Sequence, residues 1–331
     1  MKRNRKKKEK EKMAERLLVL TDQDDIRKGN IRLGLCCINN TLRKQGIFCS
    51  RSMIRKNFSV EKAKEYTLNN INDISKILVW NDKHNIFSYR LSSDMYPHFT
   101  DTETSPYSMD FSKQALQRTG ELARNYGHRI TMHPGQYNQV GTNSPSVFLK
   151  TVDDLKLHAD ILDNMGMDDE AICNVHGGGT YGDKETTIRR WIDQFDELPR
   201  NVKNRLTIEN CEKCYSVRDC ITIANETKIP VVFDTHHYNC YSILHPNEKQ
   251  EDVSEDLLNE IVDTWRGRRP LFHISDQKEG ARIGAHSDYI NEIPDYLLNL
   301  AYTTCFDIDV EAKAKEDAIL NLHKKYNHLF F

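Results

Sequence analysis

From residue 31 onward, short runs of apolar and β-branched residues alternate with longer stretches whose apolar positions recur at helical spacing. That alternation is the mark of repeated strand–helix units around a parallel sheet. Eight runs read as strands: Ile31 to Ile38, Ile86 to Leu91, Arg129 to Met132, Ala171 to Val175, Arg205 to Ile208, Pro230 to Phe233, Pro270 to Phe272 and Thr303 to Val310. Between them the pattern predicts helices such as Ser59 to Asn81, Asp110 to Tyr126, Ser146 to Met165 and Asp183 to Leu198. Ser59 and Ser146 offer hydroxyl caps, while Gly127 and Gly166 fall where a helix wants a left-handed terminal residue. In the fourth helix Ile188, Trp191, Ile192 and Phe195 form one stripe, which is packing and not a cofactor box. Eight units over roughly 300 residues predict an α/β fold, the (β/α)8 TIM barrel, as a single domain over residues 31–331.

A barrel of this kind builds its active site at the C-terminal ends of its strands. There this chain places Asn39, Ser92 with Ser93, His133, His176, Glu209, Asp234 with His237, His273 and Glu311. A lone histidine is usually a satisfied core or surface residue, and a lone glutamate after a strand is often only a helix cap. Six separate strands delivering such side chains to one rim are much harder to explain that way. Imidazole and carboxylate without thiolate suit zinc, manganese, iron or cobalt. A catalytic zinc takes about three protein ligands and a water, so the set His133, His176, Glu209, Asp234, His237, His273, His286 and Glu311 implies at least two ions. Three carboxylates in one mouth would also repel one another unless cations neutralised them. Cys211 and Cys214 form one Cys-x-x-Cys with no second pair at suitable spacing, so a structural zinc ribbon is not expected.

The 331 residues carry 47 Lys+Arg against 49 Asp+Glu, a net charge of −2. The total hides an asymmetry: Met1 to Lys12 holds eight Lys/Arg and two Glu, a local +6 that leaves −8 for the remainder. Residues 1–30 therefore read as a basic, unfolded extension: a nucleic-acid arm, a nuclear address or simply a solvated start. No apolar run approaches the ~18 residues of a membrane span, and the N-terminus is too charged for a secretory signal. The nine cysteines are odd in number and include the adjacent Cys36 and Cys37, which suits a reducing compartment. The expectation is an intracellular protein of cytoplasm or nucleus, not secreted and without a transmembrane segment.

The motifs, in order, are Arg32-Leu33-Gly34 with Asn39, Tyr89-Arg90-Leu91-Ser92-Ser93, His133-Pro134-Gly135-Gln136-Tyr137 and His176-Gly177-Gly178-Gly179. Glu209-Asn210, Asp234-Thr235-His236-His237, Thr264-Trp265-Arg266-Gly267-Arg268, His273-Ile274-Ser275, Gly284-Ala285-His286 and Val310-Glu311-Ala312-Lys313 follow. Through them the chain resembles the ultraviolet damage endonuclease family over about residues 31–316. The resemblance implies a cluster of two or three divalent ions, Mn2+ first, with Zn2+, Co2+ or Mg2+ as other candidates. His133, His176, Glu209, Asp234, His237 in preference to His236, His273, His286 and Glu311 would hold it. It implies double-stranded damaged DNA as the partner, with Gln136 and Tyr137 probing the lesion; local basic clusters would supply phosphate contacts, so Arg266, Arg268 and Lys313, with Asn39, are the expected substrate-binding residues. Independently, Pro134-Gly135 predicts a tight projecting turn, after which an amide and an aromatic ring can wedge between bases.

The chain departs from the family pattern in three places. A family histidine after the second strand has no direct match, and His98 or Asp101 can stand in for it; His98 is the ligand expected here. Leu271 occupies the position of a family lysine, and Leu35 that of an aromatic. The implied activity is metal-assisted incision immediately 5′ of pyrimidine dimers and (6-4) photoproducts, with abasic sites as further substrates, by a protein acting as a monomer. Other readings are an abasic-site endonuclease, a barrel sugar isomerase, and a DNA-binding scaffold without catalysis.

Overall fold

The structure is a computed structural model that describes residues 29–330. The basic segment read from Met1 to Lys12 lies outside the described residues. Strands β1 (Ile31–Cys36), β2 (Ser88–Leu91), β3 (Arg129–Met132), β4 (Ile172–His176), β5 (Leu206–Glu209), β6 (Val231–Asp234), β7 (Leu271–Ile274) and β8 (Phe306–Val310) follow one another around a closed barrel. Every neighbouring pair is parallel, and β1 closes on β8 from Ile31↔Phe306 to Leu35↔Val310. All eight C-terminal ends therefore open on one rim.

Two-residue alternation decides what lies on each side of the wall. Leu33, Leu35, Tyr89, Leu91, Ile130, Met132, Val175, Ile208, Phe233, Phe272, Ile308 and Val310 belong to one large apolar core shared with the surrounding helices. The alternate positions face the barrel axis and are mostly polar: Gly34, Ser88, Arg90, Thr131, Asn174, Thr207, Glu209, Asp234, His273, Asp307, Asp309 and Glu311. A second, small apolar cluster of Ile172, Val232, Trp265 and Leu271 fills the interior near the strands' N-terminal ends.

The helices fall close to their expected positions. Ser59 caps Val60–Lys83, its hydroxyl accepting from Lys62 N–H, and Asp183 caps Lys184–Asp196. Gly127 and Gly166 turn left-handed after Lys113–Asn125 and Pro145–Asn164, at φ +65° and +66°. One cap differs: Pro145 takes the first helical position and makes Ser144 the N-cap, while Ser146 Oγ lies 3.1 Å from Ser144 Oγ. Proline suits that position because its missing N–H is one of those the helix start leaves unbonded. The first and last strands are shorter than predicted. Strand β1 stops at Cys36 because Cys37 turns to φ 62°, and Thr303 belongs to the turn that closes helix Asp295–Leu300. Among the described residues no helix is long and apolar enough to cross a membrane.

Candidate metal centre and active site

Glu209, at the end of β5, has no solvent exposure and is the centre of the rim. Its Oε2 lies 2.9 Å from His133 Nε2 and accepts from Asn174 Nδ2, whose amide is oriented by Thr207 donating to its oxygen at 2.9 Å. Its Oε1 sits 3.1 Å from His237 Nδ1 and 3.3 Å from His273 Nδ1, yet has no hydrogen bond of good geometry. Asp234 Oδ1 caps the helix Thr235–Leu244 by accepting from His237 N–H at 2.7 Å, which carries His237 into the pocket. The Asn210 side chain ties β5 to β6 by donating to Asp234 O and accepting from Asp234 N–H, both at 2.9 Å. Glu311 receives Arg90 Nη1 at 2.5 Å and lies 3.5 Å from both His273 Nδ1 and His286 Nδ1.

The electrostatics follow from crowding in a dry space. Burial opposes ionisation of Glu209, but His273 and His176, with His133 and His237 close to its oxygens, hold its carboxyl well below the usual range. Glu311 is likewise held low against burial, chiefly by Arg90 and His273. Asp234 goes the other way, to about 6, because burial outweighs the pull of His237. Burial lowers the His176 imidazole to about 4, leaving it neutral with a free lone pair. His273 rises to about 9 because Glu209 and Glu311 overcome its burial.

Two sets of ligand atoms lie within 4.8 Å of one another: His133, His176 and Glu209, and then Glu209, Asp234 and His273. Four buried atoms here lack hydrogen bonds, namely His176 Nδ1, Glu209 Oε1, Asp234 Oδ2 and His273 Nδ1. Unbonded buried ligand atoms facing one another across a pocket are what a divalent ion would satisfy, and Glu209 is common to both sets. The residues present therefore fit a metal cluster.

The other expected site residues divide. Gln136 and the 67%-exposed Tyr137 project from the turn after β3, which is pinned by Asn138 donating to Gly135 O and Asp154. A Cβ at Gly135 would lie 2.4 Å from the Tyr137 ring, so glycine leaves room for the ring where it sits. Lys313 is exposed just beyond β8. Asn39 is buried and caps the short helix Asn40–Arg43 through Leu42 N–H, a structural duty. His98 does not join the cluster: its Nε2 lies 2.7 Å from Met53 O and its Nδ1 3.1 Å from Asp101. His236 turns toward Cys240, which leaves the pocket to His237.

Arg266 and Arg268 require correction, because residues preceding a strand of a parallel barrel lie at its base. Arg266 binds Lys228 O and Arg268 binds Asp169 O, both on loops leading into strands, at the end opposite Glu209. Sequence reasoning missed Arg90, Asn174, Asp309 and Glu212, whose Oε2 is 4.0 Å from His237 Nε2. Alternate acidic positions in Asp307-Ile308-Asp309-Val310-Glu311 were the available signal for Asp309.

Fold and site together define a class: a closed (β/α)8 barrel with a histidine–carboxylate cluster at its C-terminal mouth. The chain belongs to the UV-endonuclease UvdE family, whose model matches residues 31–329. It is 36% identical over 307 residues to a candidate UV-damage endonuclease from Acanthamoeba polyphaga mimivirus, covering 89% of this chain and 91% of that protein. It is 32% identical to the UV-damage endonuclease of Schizosaccharomyces pombe over 89% of its own length, which is 50% of the yeast protein's. The crystal structure of SacUVDE matches 90% of this chain and 99% of its own with a TM-score of 0.81 at 31% identity.

Proposed function

We propose that this protein is a metal-dependent DNA endonuclease that hydrolyses the backbone immediately 5′ to ultraviolet photolesions, leaving a 3′-hydroxyl and a 5′-phosphate. Cyclobutane pyrimidine dimers and (6-4) photoproducts are its substrates, with abasic sites as a further class. It works inside the cell, as a monomer, on double-stranded DNA. The observation that carries this reading is the convergence of five imidazoles and three carboxylates on and around the buried Glu209.

Two or three divalent ions, manganese first, would supply Lewis acidity toward phosphate oxygens and a hydroxide at neutral pH. His133, His176, Glu209, Asp234, His237, His273, His286 and Glu311 are the residues that would hold them. Glu209 stays anionic and shared between both ligand sets, and His176 keeps its lone pair available. Arg90 fixes Glu311 in place. Outside the pocket, Gln136 and Tyr137 would enter the stack, the amide hydrogen-bonding and the ring stacking. A dimer is poorly stacked, so extruding it costs less than the few kcal/mol of a normal nucleotide, and deformability becomes the signal. Lys278 and Arg282 beyond β7, with Lys313 and Lys315 beyond β8, would meet phosphates despite the acidic body.

Incubation with manganese and three duplexes, dimer-bearing, abasic and intact, tests the reading. Nicking of the dimer duplex, sparing of the intact one and full loss on chelation are expected. Incision that survives chelation, or that ignores the lesion, overturns it.

A further inference from the structure

Below the layer that carries Glu209 lies a second ring of inward positions, and one of them holds a carboxylate with no evident structural task. Asp309 is completely buried, and neither of its oxygens has a hydrogen-bond partner. It pairs in register with His273 on one side and Gly34 on the other. His273 has two distinct ends. Its Nδ1 faces Glu209, Glu311 and Asp234 at 3.3, 3.5 and 3.9 Å, while its Nε2 faces Asp309 Oδ2 at 3.7 Å. That Nε2 is also buried and without a hydrogen bond.

A buried carboxylate normally costs too much to keep unless it serves a partner. Room has been made for this one: a Cβ at Gly34 would lie 2.3 Å from Asp309 Oδ1. Histidines that ligate metals through one nitrogen commonly donate the other N–H to a carboxylate, which fixes ring orientation and raises basicity. We propose that Asp309 is a positioning residue for the metal centre, accepting from His273 Nε2–H and so aiming Nδ1 at the pocket shared with Glu209 and Asp234. Closing 3.7 Å to a hydrogen bond of about 2.7–3.2 Å needs a shift of about 0.5 to 1 Å. The inference rests on the metal-centre reading above and adds to it a residue that touches neither metal nor DNA.

The test is equilibrium dialysis against manganese, with metal content measured, for the wild type, Asp309→Asn and Asp309→Leu, alongside thermal melting of each metal-free protein. Affinity should fall by about 10- to 100-fold, more for leucine than for asparagine, which keeps an acceptor oxygen. The metal-free melting temperature of Asp309→Asn should hold, because the amide fills the same space and still offers His273 Nε2–H an acceptor oxygen. A merely structural role would lower both together, and that outcome overturns the assignment. Variants that bind manganese as tightly as a metal-binding wild type also overturn it, leaving the metal centre intact. A wild type that binds no divalent ion overturns the metal-centre reading itself, and this one with it.

Discussion

A carboxylate without solvent exposure is costly to keep ionised, and Glu209 is kept so only by the imidazoles and amide converging on it. Its replacement therefore separates chemistry from folding. Glu209→Gln preserves shape and the Asn174 contact but removes the charge common to both ligand sets, so incision should drop by more than about 100-fold. Urea unfolding should stay cooperative, at a lower midpoint because a carboxyl held ionised by its neighbours has been removed; a variant that keeps wild-type nicking rates removes Glu209 from the site. His176→Ala should behave alike. The proposed probe pair should give the complementary result. Gln136→Ala with Tyr137→Ala should keep bound metal but lose preference for damaged over intact duplex in competition assays, since both side chains are exposed on a turn pinned by other residues. The clustered side chains at strand ends were legible because a histidine or carboxylate that closes an apolar run contributes little to packing. His98 was misleading because a histidine near a rim looks like a ligand until its nitrogens are found engaged with Met53 and Asp101.

Strands were readable where a buried face imposes alternation, and helices where the apolar stripe was strict. In Lys184–Asp196, Trp191 is fully buried and Phe195 nearly so, their rings stacked 6.0 Å apart, while Ile188 and Ile192 flank them half-buried. Trp191→Ala should cost about 3–5 kcal/mol, read from urea unfolding, because the helix cannot collapse into so large a void. A loss under about 1 kcal/mol would show that the stripe is not what docks this helix. The Arg266 and Arg268 error has its origin at this scale too. Sequence distance to His273 is short, but β7 itself separates the arginines from the mouth, and direction along a strand is invisible to composition. Reversing both charges should leave the salt dependence of DNA binding unchanged, whereas Lys313→Glu should lower the slope of log affinity against log salt by about one. Equal effects in a filter-binding titration would restore the base to the interface.

The barrel as a whole carries two stacked charged centres on its axis, and they are balanced oppositely. At the mouth, carboxylates and imidazoles crowd together with oxygens left unbonded, the state suited to taking up cations. At the base, Asp307 is buried against three guanidinium groups, Arg32 at 2.7 Å, Arg269 at 2.7 Å and Arg129 at 3.1 Å, and these tie β1, β3, β8 and the segment before β7. Burial would raise the Asp307 carboxyl, but Arg32 and Arg269 hold it far below the usual range. A depressed folded-state value places the stabilisation above the unfolded value, about pH 4, and removes it as pH falls further. Asp307→Asn takes the shared anion from the buried Arg129 and the half-buried Arg32 and Arg269, leaving Arg129 only Glu170 at 3.6 Å, and should cost about 3–5 kcal/mol at neutral pH. Acidification should narrow that gap, since the wild type loses the same charge on protonation. Melting curves of both proteins from about pH 7 down to about 2.5 would then draw together below about pH 4 without meeting, because the folded carboxyl is still ionised at the end of that range. Curves that stay parallel would mean that Asp307 does not act as an anion, and that the base is held by packing of Ile172, Val232, Trp265 and Leu271 alone.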